Sequence, residues 1–359
     1  MSTAAGIRAG FVGGGFMATV HSRAARAAGA RLTAVAGSSP ERAGVAAEEL
    51  GIERAVVDVA AVAAASDVVH ICTPNSRHAE QALEAIAAGA HVVCEKPLAT
   101  TVEDARTVVD AAAAAGVVGA VPFVYRYHPA VRHARELVAT GELGDVLTID
   151  GAYLQDWLLA QSDTNWRADA AAGGASRAFA DIGSHLCDLL EFVVGDRIRS
   201  LAARTRTVYA ERDGARVANE DIAALVVELD GGALATLLIS QLAPGRKNAL
   251  TLEVHGTRQS VRVAQERPEE LWIGAQEGSR LVLRDPETPG DRGLSLVPAG
   301  HPMGYQDAFN AFVTDAYAAA KGEHPDGLPT FADGLRAAQL TEAVLESART
   351  SRWVDVPGA

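Results

Sequence analysis

The sequence predicts an α/β chain in two parts. A doubly wound parallel sheet is expected over residues 1–122, and an α+β domain with a largely antiparallel, open-faced sheet over residues 123–359. Three observations carry this reading. The chain has 359 residues, more than one hydrophobic core ordinarily serves. Between residues 7 and 121, short apolar runs alternate with Ala-rich helical stretches, the pattern of parallel strands covered by helices on both faces. Beyond Pro122 the strand candidates come as a group and the helices stand apart from them.

In order, residues 7–12 read as a short apolar strand and 16–28 as an Ala-rich helix. Residues 32–36 form a strand, and 40–50 a helix with proline at its start, where a missing N–H costs little. Residues 67–72 are the next strand, and 76–88 a helix closed by Gly89. Then come a strand at 91–94, a helix at 101–115 closed by Gly116, and a strand at 117–121. The second part opens with a helix at 129–140 and an alternating strand at 146–154. A polar, aromatic stretch leads to a helix at 181–194 that stops at Gly195. Strand candidates follow at 200–209, 221–229, 233–241, 248–255 and 258–264, then a Pro/Gly/Asp-rich loop at 285–302 and helices at 304–320 and 331–349.

The formal net charge of −13, with no basic run, argues against nucleic acid as a partner. Cys72, Cys94 and Cys187 are odd in number and widely spaced, which disfavours a disulfide framework or a zinc knuckle. Residues 111–125 form the longest uncharged run, too short for a membrane span and broken by Gly116, Gly119 and Pro122. The opening "MSTAAGIRAGFVGGG" shows no signal-like apolar region. A cytoplasmic protein with a small-molecule ligand and no metal is expected.

Gly13-Gly14-Gly15-Phe16-Met17-Ala18 is Gly-x-Gly-x-x-Ala directly after a strand and opening a helix. Gly13 permits the tight turn, Gly15 lets backbone approach a pyrophosphate, and Ala18 suits close helix packing. The motif predicts dinucleotide binding. The acid expected about 20 residues on, for the ribose, is missing. Gly37, Ser38 and Ser39 occupy that strand tip, with Arg42 beyond. Hydroxyls plus a guanidinium can take a 2′-phosphate, which favours NADP over NAD; the plainer reading is a helix start at Ser39-Pro40 with a solvated Arg42.

Two further strand tips carry unusual chemistry: Thr73-Pro74-Asn75 and Glu95-Lys96-Pro97. In a parallel sheet such tips line one crevice. Thr73 and Asn75 can bond ribose or pyrophosphate oxygens, and Lys96 can reach the reacting end of the cofactor; alternatively Glu95 and Lys96 are a weak surface pair. In the second part, Ile182, Leu186, Leu189, Leu190 and Val193 mark the apolar stripe of a helix. Asp181 and His185 sit one turn apart at its edge, with Asp188 continuing the row. Taken alone, Asp181 also fits a helix cap and His185 a core histidine.

Together these segments resemble the glucose-fructose oxidoreductase / inositol dehydrogenase / MocA family. The matching stretches are "GGGFMATVH", "TPNSRHAEQALEAIAAGAHVVCEKPLA", "YRYHPAVRHARELVATGELGDV" and "WRADAAAGGASRAFADIGSHLCDL". The resemblance implies a Rossmann domain, a C-terminal open-faced sheet and a site formed by both. It implies cofactor contacts from Gly13, Gly15, Phe16, Met17, Thr73, Pro74, Asn75, His78, Glu95 and Lys96, and that Lys96, Asp181 and His185 surround the reacting carbon. It also implies a cis Lys96–Pro97 bond. The implied reaction is hydride transfer between a nicotinamide and a secondary alcohol or ketone of a sugar, sugar derivative or cyclic polyol. His185 is the first choice for proton acceptor and Lys96 the second, with Asp181 orienting the ring or bonding a hydroxyl. Tyr125, Arg126, Tyr153, Gln155, Asp156, Trp157, Asn165 and Trp166 are candidate sugar contacts; the two tryptophans fit loop packing equally well, and Arg167 also suits the cofactor phosphates. A sensor that binds a sugar or dinucleotide without chemistry is the alternative, one that would ordinarily have lost the lysine or the histidine. An uncovered sheet face with Leu225, Val227, Leu237 and Ile239 suggests a homodimer or homotetramer.

Overall fold

The computed structural model describes residues 6–288 and 290–358. Two compact units emerge, Met1–Val124 with Tyr305–Leu335, and Tyr125–Gly304 with Arg336–Ala359. Residues 1–5 of the opening stretch and Pro289 of the 285–302 loop lie outside the described residues.

In the first unit the apolar runs become β1 (Arg8–Val12), β2 (Arg31–Ala36), β3 (Ala55–Val56), β4 (Val68–Ile71), β5 (His91–Cys94) and β6 (Gly119–Ala120). They pair in parallel in the order β3-β2-β1-β4-β5-β6. The order reverses between β1 and β4, which places the ligand crevice beyond Val12 and Ile71. The helices are α1 (Phe16–Ala27), α2 (Pro40–Leu50), α3 (Val59–Ala64), α4 (His78–Ala87) and α5 (Val102–Ala115). Ser39, Asp58 and Thr101 accept the backbone N–H groups that begin α2, α3 and α5. Gly51 and Gly116 end α2 and α5 in the left-handed conformation. The elements β3 and α3 escape the sequence reading because two and six residues hold no measurable period.

The second unit holds α6 (Pro129–Ala139), β7 (Val146–Leu154), α7 (Ala170–Gly173) and α8 (Ser184–Val194). After them come β8 (Ile198–Arg206), β9 (Glu211–Arg212), β10 (Ala215–Arg216), β11 (Ile222–Leu229) and β12 (Leu234–Ser240). Next are β13 (Ala249–Gly256), β14 (Gln259–Ala264), β15 (Glu270–Ala275) and β16 (Gly278–Leu283), with β17 (Val354–Asp355) near the C-terminus. Nine of these strands form one sheet, β16-β15-β14-β13-β7-β12-β11-β8-β17, antiparallel except where β12 runs parallel to β7. Two of them, β15 and β16, lie beyond the last strand expected from the sequence, at 258–264.

The expected face assignment is reversed. Leu225, Val227, Leu237 and Ile239 are buried, and Leu237 meets Leu186 of α8 around Gly151, where a Cβ would lie 2.7 Å from Leu237 and 3.0 Å from Leu186. The outward residues are their neighbours Val226, Leu234 and Leu238. Residues 305–335 depart from the expected division as well, since α9 (Tyr305–Ala320) and the start of α10 (Phe331–Thr350) belong to the first unit. There the Phe309 ring packs 4.7 Å from the His21 ring of α1, and Gln306 donates to the Val20 carbonyl. At its far edge, Ala120 of β6 bridges to Thr330.

Candidate functional site

In the first unit, Gly13 has φ +97°, and a Cβ there would stand 2.8 Å from the Cys72 carbonyl oxygen, so the turn requires glycine. Gly15 faces open space, with nothing within 4 Å of where a Cβ would be. It precedes α1 without a side-chain cap, and the first turn holds no acid, which leaves N–H groups and positive dipole available to an anion. Ala18 is fully buried and Phe16 is exposed; Met17 is half-buried. These features fit a pyrophosphate. At the β2 tip, Arg42 Nη1 donates to Ser38 Oγ at 3.5 Å, while Ser39 caps α2 through the Arg42 N–H. Ser38 and Arg42 are thus brought together, and Ser39 is committed to the helix.

At the β4 tip Thr73 Oγ1 donates to Gln81 at 2.5 Å, and Pro74 leads into a 3-10 turn at Asn75–Arg77 that buries Asn75. At the β5 tip the Lys96–Pro97 peptide is cis. Between these tips lies His78, 1% exposed, with Nε2 2.8 Å from the Thr73 carbonyl and Nδ1 2.7 Å from the Pro97 carbonyl. Burial pushes its imidazole towards the neutral form against the pull of both carbonyls and Glu95. The ring thus sits between the two strand tips, and in its neutral form its single N–H donates to one of the two carbonyls. Glu95 is buried, with Oε2 accepting the Lys96 N–H at 3.2 Å.

In the second unit the anticipated helix at 181–194 begins as a π-helical turn, Phe179–Gly183, that runs into α8. Asp181 is inside it, its N–H bonded to the Arg177 carbonyl, so it is not a cap. Gly183 makes room for the turn: a Cβ would lie 2.5 Å from the Phe179 ring. π-turns are frequent at functional sites because they re-aim side chains. The Asp181 carboxylate lies between Arg167, whose Nε is 3.3 Å from Oδ1, and Gln241, whose Nε2 donates to Oδ2 at 3.0 Å. Asn165 caps the turn carrying Trp166 and Arg167, and the Arg167 guanidinium lies 4.3 Å over the Trp166 ring.

The His185 ring packs edge-on to Tyr125 at 5.1 Å and tilted to Tyr153 at 6.4 Å. The two phenols share a hydrogen bond of 2.6 Å, Tyr153 donates to Asn248 Oδ1 at 2.7 Å, and Asn248 Nδ2 donates to the Tyr125 oxygen. Gln155 joins at Asn248 Oδ1, and Trp157 Nε1 donates to Gln155. Burial pushes the Tyr125 phenol up, and the nearby Asp181 charge adds to it, so Tyr125 stays protonated. Two expected sugar contacts are engaged elsewhere. Arg126 is buried and bidentate with Asp188, over the Phe192 ring. Asp156 accepts from Lys247 Nζ at 2.7 Å and from the Gly245 N–H.

Several supporting residues were invisible in the sequence. Gln241 and Asn248 stand just outside strand ends. Asn219-Glu220-Asp221 anchor the whole polar segment. Glu220 Oε1 accepts from Ser176 Oγ and from the N–H groups of Arg177 and Phe179, at the start of the π-turn. Asp221 pairs with Arg177 and Arg212, and Arg212 holds the carbonyls of Leu158 and Ala160. Asn219 donates to the Arg167 carbonyl.

The comparisons agree along the whole chain. A family model described as the oxidoreductase family, NAD-binding Rossmann fold, matches residues 7–123, and the GFO/IDH/MocA C-terminal domain matches residues 131–262. Levoglucosan dehydrogenase of Pseudarthrobacter phenanthrenivorans is 33% identical over 98% of each chain. A solved levoglucosan dehydrogenase in complex with NADH and levoglucosan superposes with a TM-score of 0.92 at 33% identity, covering 98% of this chain and 99% of the other. An oxidoreductase domain protein from Kribbella flavida gives a TM-score of 0.92 at 35% identity, over 98% of this chain and 100% of its own. With a glycine turn open to a dinucleotide in one unit and a clamped carboxylate beside an imidazole in the other, the chain belongs to the glucose-fructose oxidoreductase / inositol dehydrogenase / MocA family of oxidoreductases.

Proposed function

We propose that the protein is an NAD(P)-dependent oxidoreductase that moves a hydride between a nicotinamide cofactor and a secondary alcohol or ketone carbon of a sugar, sugar derivative or cyclic polyol. The observation that carries the reading is the second-unit arrangement of Asp181, held between Arg167 and Gln241, one turn from His185. The whole-length likeness to a levoglucosan dehydrogenase solved with NADH and levoglucosan supports it, and makes levoglucosan the first substrate to try.

Gly13, Gly15 and the start of α1 would hold the cofactor pyrophosphate, and Thr73 and Asn75 its ribose side. The bound nicotinamide supplies the hydride acceptor or donor. Lys96 bonds the substrate oxygen and stabilises charge that develops on it. His185 takes the hydroxyl proton, with Lys96 the alternative acceptor. Asp181 holds a neighbouring hydroxyl or orients the imidazole, and Tyr153, Gln155, Trp157 and Trp166 present polar and flat surfaces to the sugar. Ser38 and Arg42 accommodate a 2′-phosphate, which favours NADP.

The outer sheet face, with Val226, Leu234 and Leu238, serves self-association. Three free cysteines support a reducing, cytoplasmic setting. Among the described residues no helix is long and apolar enough to cross a membrane.

The test follows the near-ultraviolet absorbance of reduced nicotinamide while the protein is offered NAD+ or NADP+ with levoglucosan, inositols and aldoses. Turnover is expected with at least one pair, and Lys96→Ala is expected to lower it by ~10² or more with cofactor binding retained. Tight binding of cofactor and sugar without turnover would replace the enzyme with a sensor.

A further inference from the structure

Four buried groups in the first unit are joined end to end and have no part in the chemistry above. Tyr317 of α9 is 2% exposed, His70 of β4 and His21 of α1 are 0% exposed, and Glu95 is 6% exposed. The Tyr317 hydroxyl is 2.7 Å from His70 Nε2, His70 Nδ1 is 2.9 Å from His21 Nδ1, and His21 Nε2 is 3.0 Å from Glu95 Oε1. Aromatic walls enclose the chain: Phe11 stacks on His70 at 5.0 Å and Phe309 lies against His21. At its far end, Glu95 Oε2 accepts the Lys96 N–H.

Each link needs one hydrogen, and the ionised end together with the number of hydrogens on each imidazole decides where it sits. Burial raises the Tyr317 phenol, which keeps its proton. Burial keeps His70 neutral, with one N–H and one lone pair. Burial alone would raise the Glu95 carboxyl, but the hydrogen bond from His21 and the nearby Lys96 charge work against it, and the carboxyl is held low, so Glu95 is ionised and only accepts. His21 therefore donates from Nε2 to Glu95; where it carries that hydrogen alone, its Nδ1 accepts. His70 must then carry its hydrogen on Nδ1 and accept from Tyr317 at Nε2.

We propose that Tyr317, His70 and His21 form a one-way hydrogen-bond chain that fixes the Glu95 carboxylate and, through it, the peptide carrying Lys96, making them positioning residues for the reaction. The consequence for catalysis rests on the assignment of Lys96 proposed above; the direction of the chain does not. Freed from the chain, Glu95 could turn away from the Lys96 N–H, and burial would raise its carboxyl.

Long-range 15N–1H correlation spectra of the full chain at mildly alkaline pH test the direction. His70 is expected as the Nδ1–H tautomer and His21 as the Nε2–H tautomer; His70 protonated at Nε2, or His21 doubly protonated, overturns the proposal. The second arm uses Tyr317→Phe and His70→Phe, which keep a flat ring in place. Turnover is expected to fall about threefold to tenfold at an unchanged KM for cofactor, and the acid limb of the kcat–pH profile to move up by about half a unit or more in His70→Phe. Loss of stability with kcat and limb unmoved marks a structural role and overturns the positioning claim. Should His70→Phe fail to fold, Tyr317→Phe and the wild-type spectra still decide. If Lys96→Ala keeps full turnover while the tautomers are as stated, the assignment of Lys96 fails and the chain stands.

Discussion

Replacing Asp181 by asparagine separates charge from shape, and the surroundings set the cost. In the native protein Arg167 approaches one oxygen and Gln241 donates to the other. An asparagine that keeps its oxygen towards Arg167 must turn its NH2 towards Gln241, donor against donor. Gln241 is fully buried, and its Oε1 has no hydrogen-bond partner. A half-turn of that amide presents Oε1 to the new NH2 and restores the bond. What remains lost is the charged character of two contacts, about 1 kcal/mol each, with the Arg167 part reduced because its side chain is 26% exposed. Asp181→Asn should therefore cost about 1–2 kcal/mol, whereas Asp181→Ala also leaves the Gln241 N–H unsatisfied and should cost about 3 kcal/mol. Urea unfolding of the two variants reads the difference. Turnover should fall in both by about 10² or more, since neither retains the anion. Equal stability of the two variants would remove the amide rotation, and full turnover in Asp181→Asn would remove the carboxylate from the chemistry.

Burial raises the Glu220 carboxyl despite its bonds to Phe179, Ser176 and Arg177. Between the usual carboxylate range and that raised value the folded protein holds a proton the unfolded chain has lost, so this group's contribution falls as pH rises through the window. Glu220→Gln should lack that slope, and urea midpoints from acid to neutral pH that run parallel for the two proteins would refute it. Arg42→Ala should raise KM for NADP about tenfold and leave NAD within twofold; equal changes for both would defeat the ribose-pocket assignment. Leu238→Asp places a charge on the outer face opposite Ala224 and should lower the mass measured by light scattering; an unchanged mass would place self-association elsewhere.

What could be read from sequence was whatever local stereochemistry dictates. Gly13 is legible because no other residue suits φ +97° against the Cys72 carbonyl. The Glu95-Lys96-Pro97 turn is legible because a buried four-residue strand ending in two charges is unusual. Residues that work through distant partners left no local mark. Asp221 meets Arg177 44 positions away, and Asn248 meets Tyr125 123 positions away; nothing in "VANED" or "GRKNA" announces either. The sheet face was misassigned for a related reason. Alternation shows that two faces differ, but β11 and β12 are apolar on both, with Val226 and Leu238 outside and Leu225 and Leu237 inside. With both faces apolar, the period of two cannot say which one a helix covers.

The return of residues 305–335 to the first unit follows from the same limits, and it explains a residue that the motif reading passed over. His21 closes the stretch Gly13–His21 and was read only as its end. A buried imidazole on α1 needs partners for two nitrogens, and the first 124 residues supply Glu95 and His70. His70 then has a second nitrogen to satisfy in the centre of the sheet, and the partner is Tyr317, 247 positions later. Phe309 and Phe312, both fully buried, are further large apolar side chains that α9 contributes. Residues 305–335 are thus recruited to the first unit by an unfilled apolar face and an unsatisfied ring nitrogen together. Either need alone could be met by many sequences; meeting both places a tyrosine two turns beyond a phenylalanine on one helix.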